Sequence, residues 1–205
     1  GSEMCIRDSQ YGPYDMVKNH RNDIDWFEIF TEEHNPYLAA FWQWWPELSK
    51  TLNILRITGG EPTIQKSTYK LFRLLEEDPK PYLGLEINSN LGSKEKKLKQ
   101  FVDCVNNLVS QEKIKSFKLY TSIDTWSNRA EYIRDGLDLT VFENNLQYFL
   151  ENTNAPVTFM ITFNIFSVTT FDQLLKKILK WRDKYNIEDG KRWQRIQFDT
   201  PYLKD

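Results

Sequence analysis

The chain has 205 residues, with 27 basic and 29 acidic side chains and a formal net charge of −2. That balance excludes the clustered excess of Lys and Arg that marks a nucleic-acid footprint, and no apolar stretch approaches the length of a membrane span. One sizeable domain with a real core fits this length.

Residues 10–50 read as irregular and helical. Ile24, Trp26, Phe27 and Phe30 predict a helix from Asp23 to Thr31, and Asn35-Pro36 opens another segment running to Glu47. Phe41, Trp42, Trp44 and Trp45 read as a packing cluster in preference to a stacking platform for bases. After residue 50, strands and helices alternate. Strands are predicted near Asn53–Ile57, Leu83–Asn88, Ser116–Ser122, Val157–Asn164 and Arg195–Asp199. Helices are predicted near Gln65–Glu77, Lys94–Val109, Leu139–Asn152 and Phe171–Tyr185. Leu98, Phe101, Val102, Val105, Leu108 and Val109 recur at helical spacing, as do Phe171, Leu174, Leu175, Ile178 and Trp181 with lysines opposite. Breakers separate the elements at Asp78-Pro79-Lys80-Pro81, Asn154-Ala155-Pro156 and Asp189-Gly190. The run from Lys94 to Lys99 reads as a solvated face at a helix start.

This alternation predicts βαβ units and a parallel sheet. Right-handed crossovers then coil the sheet toward an open or closed barrel. Every predicted strand ends in polar or turn residues: Thr58-Gly59-Gly60-Glu61, Asn88-Ser89-Asn90, Thr121-Ser122-Ile123-Asp124, Asn164, and Asp199-Thr200. In a parallel barrel those ends converge on one rim, where active sites are built. Polar strand ends also serve ordinary turns.

Thr58-Gly59-Gly60-Glu61-Pro62 carries the most information. It ends the apolar run from Leu52 to Ile57 and opens an amphipathic one from Ile64 to Leu75, so it is a strand-to-helix turn. Two glycines accept φ values that other residues avoid, and Pro62 suits a first helical turn. Gly59-Gly60-Glu61-Pro62 resembles the GGEP motif of radical S-adenosylmethionine (SAM) enzymes. Residues 50–205, about three quarters of the chain, resemble that family's second to sixth strands in order, and Phe198-Asp199-Thr200-Pro201-Tyr202-Leu203 resembles its twitch-domain type.

The resemblance implies an α/β fold: a partial (β/α)6 TIM-like barrel of the radical SAM type, incomplete at both ends and spanning residues 10–205. Gly59, Gly60, Glu61 and Pro62 would cradle the aminocarboxypropyl part of SAM, with carbonyls and the Glu61 carboxylate accepting from its ammonium group. Alternatively, Glu61 favours a helix dipole beside a tight turn. Asn88 and Asn90, flanking Ser89, would line the SAM site or form a local turn. Ser122 and Arg134 would bind the SAM carboxylate, since the arginine fork matches it. Arg129 competes for that role, and a surface pair of Arg134 with Glu131 or Asp138 is the other reading. Asp124 would face substrate or cap the next helix. Thr162 and Asn164 share one side of the fifth predicted strand and would touch ribose, substrate or a structural partner.

The family holds a [4Fe-4S] cluster with three cysteines spaced C-x-x-x-C-x-x-C, leaving one iron open for SAM. It uses an electron donor such as flavodoxin or ferredoxin to generate a 5′-deoxyadenosyl radical that acts on substrate, here unknown. This chain has only Cys5 and Cys104, and Cys104 fits a small core position. Gly1-Ser2-Glu3-Met4-Cys5-Ile6-Arg7-Asp8 resembles the translation of a transposon-end adaptor used in sequencing libraries, so residues 1–9 are expected to be adaptor-derived, or else a native N-terminus. On the first reading, the frame enters the gene past its cluster loop, and the chain alone is expected to be inactive. Low cysteine usage fits the cytoplasm. His20 and His34 have no metal-like or triad spacing. Two other classes remain open: a barrel without a cluster that only binds a nucleoside or peptide, and an α/β interaction domain whose GGEP is an accidental turn.

Overall fold

The computed structural model describes residues 35–185 and 195–200. The chain divides at Thr51–Leu52 into two units. In the first, helix α1 (Pro36–Leu48) starts where Asn35 accepts from the Tyr37 and Leu38 amides at 3.0 and 3.2 Å, satisfying donors that lack helical partners. Phe41 packs on Trp42 and Trp45 with ring centroids 4.9 and 5.8 Å apart. Trp44 is 59% exposed and stands outside the cluster expected of it. The predicted Asp23–Thr31 helix lies outside the described residues.

The second unit alternates strands and helices: β1 (Ile54–Ile57), α2 (Lys66–Glu77), β2 (Lys80–Ser89), α3 (Glu95–Ser110), β3 (Ile114–Ser122), α4 (Asn128–Ile133), α5 (Leu139–Asn152), β4 (Val157–Met160), α6 (Phe171–Tyr185) and β5 (Ile196–Asp199). The five strands form one sheet in the order β1-β2-β3-β4-β5, every pair parallel. Each strand therefore adds beside its predecessor. The predicted strand and helix sequence holds, with two differences. The short helix α4 was not expected, and the strand predicted to reach Asn164 stops at Met160.

Period-two alternation divides the sheet into two faces. Leu83, Leu85 and Ile87 on β2, Phe117 and Leu119 on β3, and Val157 and Phe159 on β4 are buried together. Helical stripes cover them: Leu71, Phe72 and Leu75 of α2; Leu98, Phe101, Val102, Val105 and Leu108 of α3; Phe142, Leu146 and Phe149 of α5. Val109 falls off the stripe and is exposed. Aromatic contacts join the layers. Phe72 meets Phe101, Phe101 meets Phe117, and Phe117 meets Phe149, at centroid distances of 5.8, 5.9 and 6.3 Å. Phe159 stacks on Trp181 of α6 at 5.4 Å. Residues of opposite parity face away from this core. Arg56, Glu86 and Lys118 form one cross-strand row, and Asn88, Tyr120, Thr158 and Gln197 the next.

Candidate functional site

The turn after β1 is built around two left-handed glycines, Gly59 at φ +88° and Gly60 at φ +58°. Any Cβ-bearing residue is disfavoured in that region. A Cβ on Gly59 would meet nothing within 4 Å, so backbone conformation alone selects glycine there. A Cβ on Gly60 would also press on the side-chain amide of Gln65. Among the described residues, no hydrogen bond ends on the carbonyl of either glycine.

Glu61 behaves differently. Its Oε1 accepts from the Thr63 amide, the Thr63 hydroxyl and the Ser89 hydroxyl at 3.2, 2.6 and 2.7 Å, and its Oε2 accepts from the Asn90 amide at 2.8 Å. A carboxylate offers about four acceptor positions, two on each oxygen; protein donors crowd Oε1, while Oε2 takes one. Glu61 thus ties the β1 turn to the end of β2 and shapes the bare glycine carbonyls beside it. Tyr69 of α2 adds a further tie, its hydroxyl donating to the Thr63 carbonyl at 2.6 Å. Burial, reinforced by Cys104 and Glu61, pushes that phenol up to about 12.

The loop after β2 is equally fixed. Ser89 Oγ accepts from the Leu91 amide at 3.0 Å, and Asn90 Oδ1 accepts from the Gly92 amide at 2.7 Å. Leu91 is buried at φ +54°, an uncommon state for a branched residue. From α5, Asn145 donates to the carbonyls of Leu91 and Ser93 at 2.7 and 2.8 Å. The Asn88 side chain, on the sheet face away from the helices, has a buried Oδ1 with no partner.

A second cluster follows β3. Asp124 neither caps a helix nor stands free. Its Oδ1 accepts from Arg134 Nη2 at 3.0 Å and from the Thr162 amide at 2.8 Å. Arg134 Nε sits 2.8 Å from Oδ2, a close charge contact off the line of a hydrogen bond. The expected partners of Arg134 are occupied elsewhere: Glu131 accepts from the Leu139 amide, and Asp138 caps α5 through the Thr140 and Val141 amides. Ser127 caps α4 in place of Asp124. Among the described residues, the Arg129 side chain reaches only the Phe166 carbonyl, at 3.4 Å. Ser122 makes no side-chain hydrogen bond among the described residues.

Thr162 and Asn164 do not alternate along a strand. Asp124 takes the Thr162 amide, ending the ladder, and Asn164 closes a turn on itself. Its Nδ2 donates to the Thr162 carbonyl at 3.0 Å, and its Oδ1 accepts from the Phe166 amide at 2.9 Å. The rim therefore joins Glu61 with Asn90, and Asp124 with Arg134 and Thr162, while Asn164 serves its own loop. Pro62 follows Glu61 and precedes Thr63, whose side chain is fully buried.

The bare glycine carbonyls suit an ammonium group such as that of SAM. The thiols do not suit an iron–sulfur cluster: the chain has two cysteines, and the described one, Cys104, lies half-buried within α3 with its thiol pushed up by burial. Among the described residues, no His, Cys, Asp and Glu group is placed to hold a metal ion, and no helix is long and apolar enough to cross a membrane. No family model, curated protein or solved structure matches this chain.

Proposed function

We propose that this chain is the SAM-binding portion of a radical SAM enzyme of the twitch-domain type, its sheet forming part of a (β/α)6 barrel and acting in the cytoplasm. The observation that carries this reading is the pairing of a Glu61 fixed by four protein hydrogen bonds with two left-handed glycines whose carbonyls take no donor among the described residues. Carbonyl oxygens fixed in advance bind an ammonium without first having to be ordered. The one-sided strand order supports a curling sheet, because crossovers of one hand stack their helices on one face. Arg134, held by Asp124, would complete the rim on the SAM carboxylate side through its remaining donors.

In the family, a cluster supplies the electron that cleaves SAM. The thiols of this chain do not form its ligand set. The chain's own task is to bind and orient the methionine part of SAM. The substrate is unknown.

The test is equilibrium binding of SAM and of 5′-methylthioadenosine, which keeps the nucleoside but lacks the amino acid. SAM is expected to bind about tenfold or more tightly, the value of a charge-assisted contact. Equal binding of the two would sink ammonium recognition, and binding of neither would leave GGEP as a structural turn.

A further inference from the structure

The sheet face turned away from the helices carries a charged row that the rim does not use. Arg56, Glu86 and Lys118 are cross-strand neighbours on β1, β2 and β3. Arg56 Nε and Nη2 both meet Glu86 Oε2, at 2.7 and 2.6 Å. Nη2 also donates to the Tyr120 hydroxyl at 2.5 Å. The Arg56 guanidinium carbon and Lys118 Nζ lie 4.1 and 4.7 Å from the centre of the Tyr120 ring. Two cations thus share one ring, but the one carboxylate is held by Arg56 alone, and among the described residues Lys118 enters no ion pair. One positive charge is left over.

The adjoining row adds a second, independent sign. Asn88 and Thr158 flank Tyr120 across the strands. Asn88 Oδ1 and Thr158 Oγ1 are buried and have no hydrogen-bond partner, although Thr158 is only 5% exposed. Buried polar atoms ordinarily have partners, and a bare one is costly. An uncompensated cation beside unsatisfied polar atoms marks a surface that a ligand completes.

We propose that this face binds a small molecule bearing a single carboxylate, held by Lys118 and the free edge of Arg56, with its neighbouring polar atoms on Asn88 and Thr158. A monoanion matches the one leftover charge. A phosphate, closer to two negative charges, would crowd Glu86 with excess charge. The Tyr120 ring forms an apolar floor between the two cations. This assignment rests on the barrel reading above, in which the same face lines the lumen and the ligand is the substrate.

The experiment is an NMR titration of the full chain with N-acetylglycine, N-acetylglycinamide and inorganic phosphate, with SAM titrated in parallel. N-acetylglycine is expected to move the amides around Lys118 and Tyr120 saturably, and the uncharged amide is not. Lys118→Met, which keeps the unbranched stem but not the charge, should weaken that binding about tenfold. Lys115→Met, exposed on the same strand, should leave it unchanged. Tyr120→Phe keeps the ring but releases Arg56, and should weaken binding about threefold should Lys118→Met fail to fold. The assignment is overturned by an absence of saturable shifts, by equal binding of the amide, by tighter binding of phosphate, or by an affinity indifferent to both variants. SAM binding without N-acetylglycine binding overturns this assignment alone. N-acetylglycine binding without SAM binding supports it and removes the rim reading.

Discussion

Arg134 and Asp124 form a two-point contact, Nη2 to Oδ1 at 3.0 Å and Nε to Oδ2 at 2.8 Å, with the Asp124 side chain only 5% exposed. The same Oδ1 takes the Thr162 amide, so one carboxylate links the segment after β3, the end of α4 and the segment after β4. Replacing Asp124 by Ala leaves a largely buried arginine unpaired and frees a backbone amide. The expected loss is about 3–5 kcal/mol, read from the midpoint of urea unfolding. A loss below about 1 kcal/mol would mean the pair contributes like a surface contact.

Glu61→Gln tests the other junction. A glutamine presents an NH2 where the carboxylate has an acceptor, setting donor against donor at Asn90 or at Thr63 and Ser89. Stability should fall by about 1–3 kcal/mol. Hydrogen exchange at the Asn90 amide should accelerate well beyond that of β2, and unchanged exchange there would refute the link.

Gly59→Ala separates conformation from space. Its Cβ meets nothing, so the cost is the left-handed φ alone, about 1 kcal/mol. On the proposed function, SAM affinity falls more than stability does. A variant that loses stability but keeps full SAM affinity would contradict the placement of the ammonium at this turn.

The raised phenol of Tyr69 gives a pH signature. Its folded value of about 12 lies above the ordinary value near 10, so the protonated form favours the fold. The stability it contributes is complete below about 10 and drains as pH climbs toward 12. The ultraviolet phenolate titration of the protein minus that of Tyr69→Phe should show one tyrosine ionising near 12. A difference curve centred near 10 would show that the phenol is not held.

The strand and helix order was legible because each helix repeats its apolar residues at helical spacing and each strand is bounded by breakers. The bounds of α5 and α6 agree to the residue with those expected. Thr162 and Asn164 were misplaced because alternation cannot reveal that Asp124, 38 positions earlier, captures the Thr162 amide. Arg134 was expected to meet the SAM carboxylate or to pair with Glu131 or Asp138, while the acid that holds it, Asp124, lies on the far side of α4. Glu61 was expected to meet a ligand or to favour a helix dipole, and its hold on Thr63, Ser89 and Asn90 was not expected. The charged row of the sheet did leave a trace. Arg56, Glu86 and Lys118 each stand between two apolar neighbours at the same register, which becomes visible only once the strands are aligned.

Asn145 sits on α5, far along the chain from Leu91 and Ser93, yet its amide group holds both their carbonyls. The shape of the loop after β2 is therefore decided by a helix that lies beyond the next strand in the chain. The rim on this side is set during folding, so an incoming ligand meets a finished surface and gives up little entropy to the protein. Cutting that tether with Asn145→Ala would carry the loss the other way, turning a rigid partner into one whose ordering is charged to the ligand's affinity.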